Sequence, residues 1–352
     1  ARGMSRPIAV LPKQAAAHRG NPPSVRKPEE VGCFHIDENG KETYGAEAKQ
    51  HLRAYSTPRL PVDLNERMST FKPRTTAVYP LFPILRGLQH ENVPLHADIL
   101  SFRNNFNKIM GTPYNRSEPW QVGIQYTTTM DQQPLILFHI LPPTPGGPHI
   151  RVDTDDFAQR ASYWGYRFEA VCTNSTEEDV DANVEYCAIV RTAVGNHRLL
   201  LGAEMDCYRR DPRAPADAPP SLNEYVELKT TKEILEEKHN ISFAKYKLLK
   251  YWIQCFLVGV QEVIVGYRDQ AGNLKKIEHL KVKDIPRRAS PGEKPMWDYG
   301  RCLSFTDQVL SMVRRHVRTP DKAYVLSFQP PFAQVELRED SAAGPVLHTA
   351  PV

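Results

Sequence analysis

Glu204-Met205-Asp206 closes the apolar run Leu199-Leu200-Leu201-Gly202-Ala203. If that run is a strand, alternate side chains share a face, so Glu204 and Asp206 lie on one side and Met205 on the other, the carboxylates roughly 6.5–7 Å apart. A divalent cation fits between them. Val226-Glu227-Leu228-Lys229 repeats the alternation, with Glu227 and Lys229 on one face. The Pro-rich stretch between the two runs lets them be sheet neighbours, which would bring two Glu, one Asp and one Lys together. Carboxylate oxygens suit hard cations such as Mg²⁺. An adjacent lysine can hold a phosphate or orient a water. The plain alternative is a pair of solvated strand faces, since the chain is 24% charged.

Three further places have suitable chemistry. Glu169 follows Gly165-Tyr166-Arg167-Phe168, and Gly165, one helical turn back on the same face, leaves room for a ligand. A surface glutamate beside a packing glycine fits the same pattern. Lys247, Lys250 and Gln254 fall on one helical stripe, either a phosphate-facing set or a solvated basic face. Arg103 stands in the polar patch Ser101-Phe102-Arg103-Asn104-Asn105, with no role that spacing assigns. The histidines form no metal spacing and pair with no Ser or Cys, which disfavours a Ser/His/Asp hydrolase. The six cysteines are at least fifteen positions apart, so no CxxC zinc or redox motif exists and reduced thiols are expected. GxGxxG, Walker A, HExxH and GxSxG are absent.

The elements that must position these residues follow from periodicity. Asp153–Thr173 reads as a helix, with Phe157, Ala161, Trp164, Phe168 and Val171 on one stripe. Val184–Thr192 and Arg198–Cys207 read as strands joined at Gly195-Asn196. Gln121–Thr129, Pro134–Ile140, Tyr225–Thr230, Val260–Tyr267 and Ala323–Phe328 also read as strands; Phe243–Leu257 and Phe305–Arg318 read as helices. Asp98–Met110 suits a strand or a helix equally. Arg209–Ser221 and the PPTPGGP stretch at 142–148 read as loops. The 352 residues include 30 prolines, which points to many rigid loops rather than a helical bundle. A net charge of +4 neither demands nor excludes a nucleic-acid partner. No apolar run reaches the ~18 residues of a spanning helix. The expected organisation is a flexible arm over 1–30, a single mixed α/β domain over 31–338 and a frayed tail over 339–352.

In order, Gly165-Tyr166-Arg167-Phe168-Glu169, Glu204-Met205-Asp206 and Glu227-Leu228-Lys229 match the G-h-x-h-E, E-h-D and E-h-K motifs of one family. Supporting stretches are Val31-Gly32-Cys33-Phe34, Thr112-Pro113-Tyr114, Asn183–Cys187 and Lys247–Gln254. The chain resembles the DXO/Dom3Z-type RNA 5′-end decapping nucleases from about Val31 to about Phe328. That resemblance implies two twisted mixed β-sheets flanked by helices, with a PD-(D/E)xK nuclease-like core. It implies two divalent ions, Mg²⁺ or Mn²⁺, held by Glu169, Glu204, Asp206, Glu227 and the Leu228 carbonyl. Lys229 and Gln254 would contact 5′-phosphates or water, Arg103 would grip the RNA backbone, and Cys187 would line the substrate channel. The implied activities are removal of pyrophosphate from 5′-triphosphate RNA, release of unmethylated or NAD caps, and 5′→3′ degradation. Gly266-Tyr267-Arg268-Asp269 and Leu274–Pro286 resemble the fungal nuclear branch more closely, which implies a nuclear location and a 5′→3′ exoribonuclease partner. Ser56–Leu100 offers no residue to carry over. A scaffold that only stabilises such a partner, and a DNA nuclease of the same fold, are the competing readings.

Overall fold

The computed structural model describes residues 6–16, 21–75, 80–129, 131–141, 156–215, 217–290, 294–320 and 322–340. Its strands are β1 (Ala9–Pro12), β2 (Val25–Ile36), β3 (Glu42–Tyr44), β4 (Val62–Asp63), β5 (Ile99–Phe102), β6 (Trp120–Thr128), β7 (Pro134–His139), β8 (Glu185–Val194), β9 (His197–Glu204), β10 (Cys207–Tyr208), β11 (Tyr225–Lys232), β12 (Glu262–Arg268), β13 (Asn273–Lys281), β14 (Ala323–Phe328) and β15 (Gln334–Glu339). The helices are α1 (Gly45–Lys49), α2 (Phe82–His90), α3 (Arg103–Gly111), α4 (Asp156–Cys172), α5 (Glu237–Ser242), α6 (Leu248–Phe256), α7 (Ile285–Arg288) and α8 (Tyr299–His316). Ten strands form one mixed sheet, in the order β1-β15-β14-β6-β7-β5-β9-β8-β2-β3, and five form the other, in the order β10-β11-β12-β13-β4. This is the expected class: two mixed sheets flanked by helices.

The chain passes between the sheets at one place that matters for chemistry. The β8–β9 hairpin turns at Gly195, whose φ of 55° suits the first central position of a tight turn. β9 then runs parallel to β5, with Phe102 opposite Gly202, so Arg103 and Glu204 emerge at the same sheet edge. Cys187 pairs directly with Glu204 across the β8–β9 ladder. After Glu204 the large sheet ends, and Cys207–Tyr208 joins the second sheet beside Val226 and Tyr225.

The second sheet explains the alternation in β11. Val226 and Leu228 are buried with Tyr163, Trp164, Phe168 and Val171 of α4 and with Ile264 of β12. Removing such side chains from water contributes roughly 1.5–3 kcal/mol each. The apolar stripe foreseen on α4 is therefore its core face, except that Phe157 at the start is 46% exposed. The ambiguous Asp98–Met110 segment is both elements in turn, strand β5 and then α3. Phe243–Leu257 is interrupted: Phe243–Lys247 is a π-helical stretch between α5 and α6.

The arm expected over 1–30 does not hold as such. Ala9–Pro12 pairs antiparallel with Val335's strand, and β2 begins at Val25. Val10 and Leu11 alternate in exposure there, a two-residue period too short to stand out in a Pro-rich stretch. The first residues of the helix expected from Asp153, the 142–148 loop and the tail from 341 lie outside the described residues. All six cysteines are buried and unbridged. Among the described residues no helix is long and apolar enough to cross a membrane.

Candidate active site

Glu169, Glu204, Asp206, Glu227 and Lys229 come together at the junction of the two sheets. Their mutual influence is electrostatic as well as spatial. Lys229 Nζ donates to Glu227 and lies 4.0 Å from Asp206 Oδ2. Arg103 Nη1 donates to Glu227 Oε2 at 3.2 Å and to the Gln254 carbonyl at 3.3 Å. The Gln254 side-chain amide donates to Glu227 Oε1. The Leu228 backbone N–H donates to Asp206 Oδ2 at 2.6 Å, tying the crossing segment to β11. Glu227 is therefore the hub, with both oxygens engaged and its side chain only 1% exposed.

One geometric expectation changes. Glu204 is the last residue of β9, but Asp206 is not on a strand at all. The two carboxylates reach one site because the chain leaves one sheet for the other between them, not because they share a pleat. For the same reason β9 and β11 are not sheet neighbours; β11 lies between the two-residue β10 and β12.

The carboxylates outnumber the cations that answer them. Burial, then the charges of Asp206 and Glu204, push the Glu169 carboxyl well above its ordinary range. Burial, then Glu227, push Asp206 up to about 7. For Glu227 burial acts the same way, but Lys229 and Arg103 outweigh it and hold the carboxyl low. Burial would lower the Lys229 ammonium; Glu227 and Asp206 outweigh it and hold it high. Negative charge held in a low-polarity surround and resisting ionisation is what a bound cation relieves. Among the described residues no three His, Cys, Asp or Glu side chains converge as a finished metal site. Lys229, Gln254 and Arg103 occupy the Glu227 oxygens. The donor set is nevertheless all hard oxygen with excess negative charge, and so fits a divalent cation.

Beside the cluster is a cavity of about 70 Å³, lined in part by Phe102, Arg103, Cys187, Gly202 and Glu204. Burial, then Glu185 and Glu204, raise the Cys187 thiol pKa well above the ordinary value, which disfavours the thiolate. Two lining residues escaped the sequence reading. Arg74 Nη2 bridges Glu185 and Glu204, each at 3.3 Å. Burial, then Glu204, push Glu185 up to about 7 against the pull of Arg74. Glu185 carried a signal, since it stands two residues before Cys187 and so on its face of β8. Arg74 carried none, lying in the unassigned 56–100 segment.

The 247/250/254 stripe divides. Gln254 enters the site, while Lys250 reaches outward to Glu118 at 3.1 Å and is 64% exposed. The π-helical stretch ends at Lys247, so it changes the phase of Lys247 against α6 but not that of Lys250 and Gln254, which lie four residues apart within α6. Their different partners, Glu118 and Glu227, divide them.

The fold and this acidic junction define a nuclease of the PD-(D/E)xK kind. A family model described as "RAI1 like PD-(D/E)XK nuclease" matches residues 26–349. The decapping and exoribonuclease protein of Bos taurus is 32% identical over 359 residues, covering 93% of this chain and 85% of that protein. The decapping nuclease RAI1 of Aspergillus fumigatus is 32% identical over 329 residues, covering 85% of each. Among solved structures, Candida albicans Rai1 in complex with pU5-Mn²⁺ has a TM-score of 0.75 and 25% identity, covering 96% of this chain and 94% of that one. The chain belongs to the RAI1-like PD-(D/E)XK nuclease family, and is a hydrolase of the decapping-nuclease kind. Identity to the two kinds of relative is equal, so it does not separate the fungal branch from the other.

Proposed function

We propose that this chain hydrolyses the 5′ ends of RNA in a reaction that needs a divalent metal, Mg²⁺ or Mn²⁺, and leaves a 5′-monophosphate. In the simplest case water adds to the α-phosphorus of a 5′-triphosphate end, the α–β anhydride bond breaks, and pyrophosphate leaves. Unmethylated and NAD caps are alternative substrates at the same site. The observation that carries this reading is the convergence of Glu169, Glu204, Asp206 and Glu227 with Lys229 at the sheet junction. The relative solved with a 5′-phosphorylated oligouridine and Mn²⁺ supports it.

Glu169, Glu204, Asp206, Glu227 and the Leu228 carbonyl would hold two ions. Metal bound there supplies positive charge against the phosphate and makes water a better nucleophile near neutral pH. The protein's own groups do the rest. Glu204, with its side chain 41% exposed, is the carboxylate open to an arriving substrate. Lys229 keeps its proton, so its ammonium neutralises phosphate oxygens as charge builds on the leaving group. The Gln254 amide, now on Glu227, is a neutral donor for the same oxygens. Arg103 is pinned by Glu227 and the Gln254 carbonyl and lines the cavity, where it would contact the RNA backbone.

The test is product analysis with 5′-triphosphate, unmethylated-cap, NAD-cap and 5′-monophosphate RNA, plus a 5′-phosphorylated DNA, in Mg²⁺ or Mn²⁺. Pyrophosphate or a cap dinucleotide is expected, stopped by EDTA and reduced more than about a hundredfold in Glu204→Ala/Asp206→Ala. Mn²⁺ should raise the melting temperature of the native chain and not of that variant. Full activity in the double variant would overturn the site. Equal cleavage of DNA would favour a general nuclease. A nuclear location and a complex with a nuclear 5′→3′ exoribonuclease rest on the resemblance alone; co-purification tests the second, and its failure would leave the hydrolase reading intact.

A further inference from the structure

The acidic junction lies where β5 and β9 end, at Phe102 and Glu204. Where the same strands begin, at the opposite edge of the large sheet, is an open cavity of about 880 Å³. β9 spans His197–Glu204, so at ~3.3 Å per residue the two places are roughly 20 Å apart. The chemistry proposed above uses nothing in this cavity.

Its walls are strongly basic and partly prearranged. Arg198 donates to Asp98 Oδ1 from Nη2 at 2.7 Å and from Nε at 3.2 Å, and its backbone N–H reaches Oδ2 at 2.9 Å. Arg314 Nη1 lies 3.6 Å from Asp98 Oδ2 and donates to the Asn196 carbonyl at 3.0 Å. The same nitrogen meets His197 Nδ1 at 3.1 Å. His197 is 5% exposed, and its other ring nitrogen meets Ser311 Oγ at 3.1 Å. Burial lowers the His197 pKa, which keeps the ring neutral and Nδ1 an acceptor for Arg314. Two more guanidiniums, Arg315 and Arg318, line the same space, and both are exposed. Arg318 has one contact, from Nε to the Arg314 carbonyl at 3.3 Å, and among the described residues neither forms an ion pair. Four guanidiniums thus line the cavity with one carboxylate, Asp98; a second, Asp307, lies behind the wall 3.5 Å from His197 Nε2, and the balance stays positive.

Cations at a helix C-terminus are stabilised by the helix dipole. That covers Arg314 and Arg315 in the last turn of α8. It does not cover Arg198, which arrives from β9 and is turned into the same space by Asp98, nor the concavity itself. The volume is within the ~300–1,000 Å³ of small-ligand sites. Guanidinium forks match phosphate oxygens in pairs. Tyr126, half-buried, adds an aromatic wall from β6.

We propose that this cavity is a second anion site, separate from the catalytic junction, that binds a small polyphosphate-bearing ligand, with Arg315 and Arg318 as its free phosphate contacts and Arg198 and Arg314 as a fixed floor. A nucleoside polyphosphate and an inorganic polyphosphate share this chemistry; Tyr126 distinguishes them, because only the nucleotide has a base to lay on the ring.

Calorimetric titration of the full chain, in EDTA, with inorganic tripolyphosphate, ATP and a 5′-hydroxyl oligoribonucleotide tests it. Binding of tripolyphosphate or ATP is expected, kept in Glu204→Ala/Asp206→Ala and weakened at least about tenfold in Arg315→Ala/Arg318→Ala. Arg315→Lys/Arg318→Lys should recover part of the loss. If Tyr126→Ala weakens ATP alone, the ligand is a nucleotide; if it weakens neither, the site takes bare polyphosphate. No binding of either small probe would overturn the proposal. So would binding that survives Arg315→Ala/Arg318→Ala and is lost in the catalytic double variant. Binding of the oligoribonucleotide alone, lost in Arg315→Ala/Arg318→Ala, would overturn the small-ligand assignment in favour of a nucleic-acid track.

Discussion

At the residue scale the site depends on a buried pair. Arg103 and Glu227 meet at 3.2 Å with side chains 8% and 1% exposed. Removing one partner of such a pair leaves a charge in a low-polarity surround and costs about 3–5 kcal/mol. Lys229 remains on Glu227 after Arg103→Ala, so the expected loss is at the lower end of that range, read from urea unfolding. Activity should fall with it. Both bonds leave one nitrogen, Nη1; Arg103→Lys keeps the charge but must place its ammonium there from a shorter side chain, and should restore stability more than activity. A variant as stable and active as the native chain would show that the pair has no role. The spacing of Ser101–Asn105 gave Arg103 no function, because its partner is 124 positions away in the chain. Glu204, Asp206, Glu227 and Lys229 were legible because charge at alternate positions in apolar runs is unusual and local.

At the element scale α4 carries Glu169 and is seated on the second sheet by Phe168 against Gly266 of β12. A Cβ at Gly266 would lie 2.7 Å from the Phe168 ring. Gly266→Ala should therefore lift α4 at the residue next to Glu169. The expected cost is about 1–3 kcal/mol, typical of overpacking. The metal concentration for half-maximal activity should also rise. Gly266→Ala/Phe168→Leu should recover part of both, because Leu274 Cδ1 would still lie 2.8 Å from the new methyl. If the single variant lost stability with its metal requirement unchanged, the contact would serve packing only. The α4 stripe was legible from its 3.6-residue period; the glycine seat was not, because a glycine in a strand has no pattern that names its neighbour. The break between β9 and β10 was hidden for a similar reason. Arg198–Cys207 reads as one strand, and only competition between two sheets for its end divides it.

At the scale of the whole molecule, β1 closes one side of the ten-stranded sheet. Its four residues pair with Gln334–Leu337 of β15, and the chain after it continues against α8. Deleting residues 1–16 would leave β15 as an open edge, a template for another chain. Self-association that grows with concentration is expected in sedimentation velocity, together with a lower melting temperature. A deletion variant that stays monomeric and equally stable would mean that β1 adds no protection.

The sequence by itself picked out four carboxylates and Lys229 of the candidate site, the α4 core stripe and most strand positions, and its ordered motifs, through the family resemblance, the class of two helix-flanked mixed sheets. Those features repeat at two or 3.6 residues, or belong to short ordered motifs. Tertiary structure alone decided that Asp206 crosses between sheets, that Gln254 turns inward while Lys250 turns out, that Arg74 and Glu185 flank the cluster, and that β1 belongs to the large sheet. Each of these depends on a contact between segments far apart in the chain, where no local periodicity records the partner.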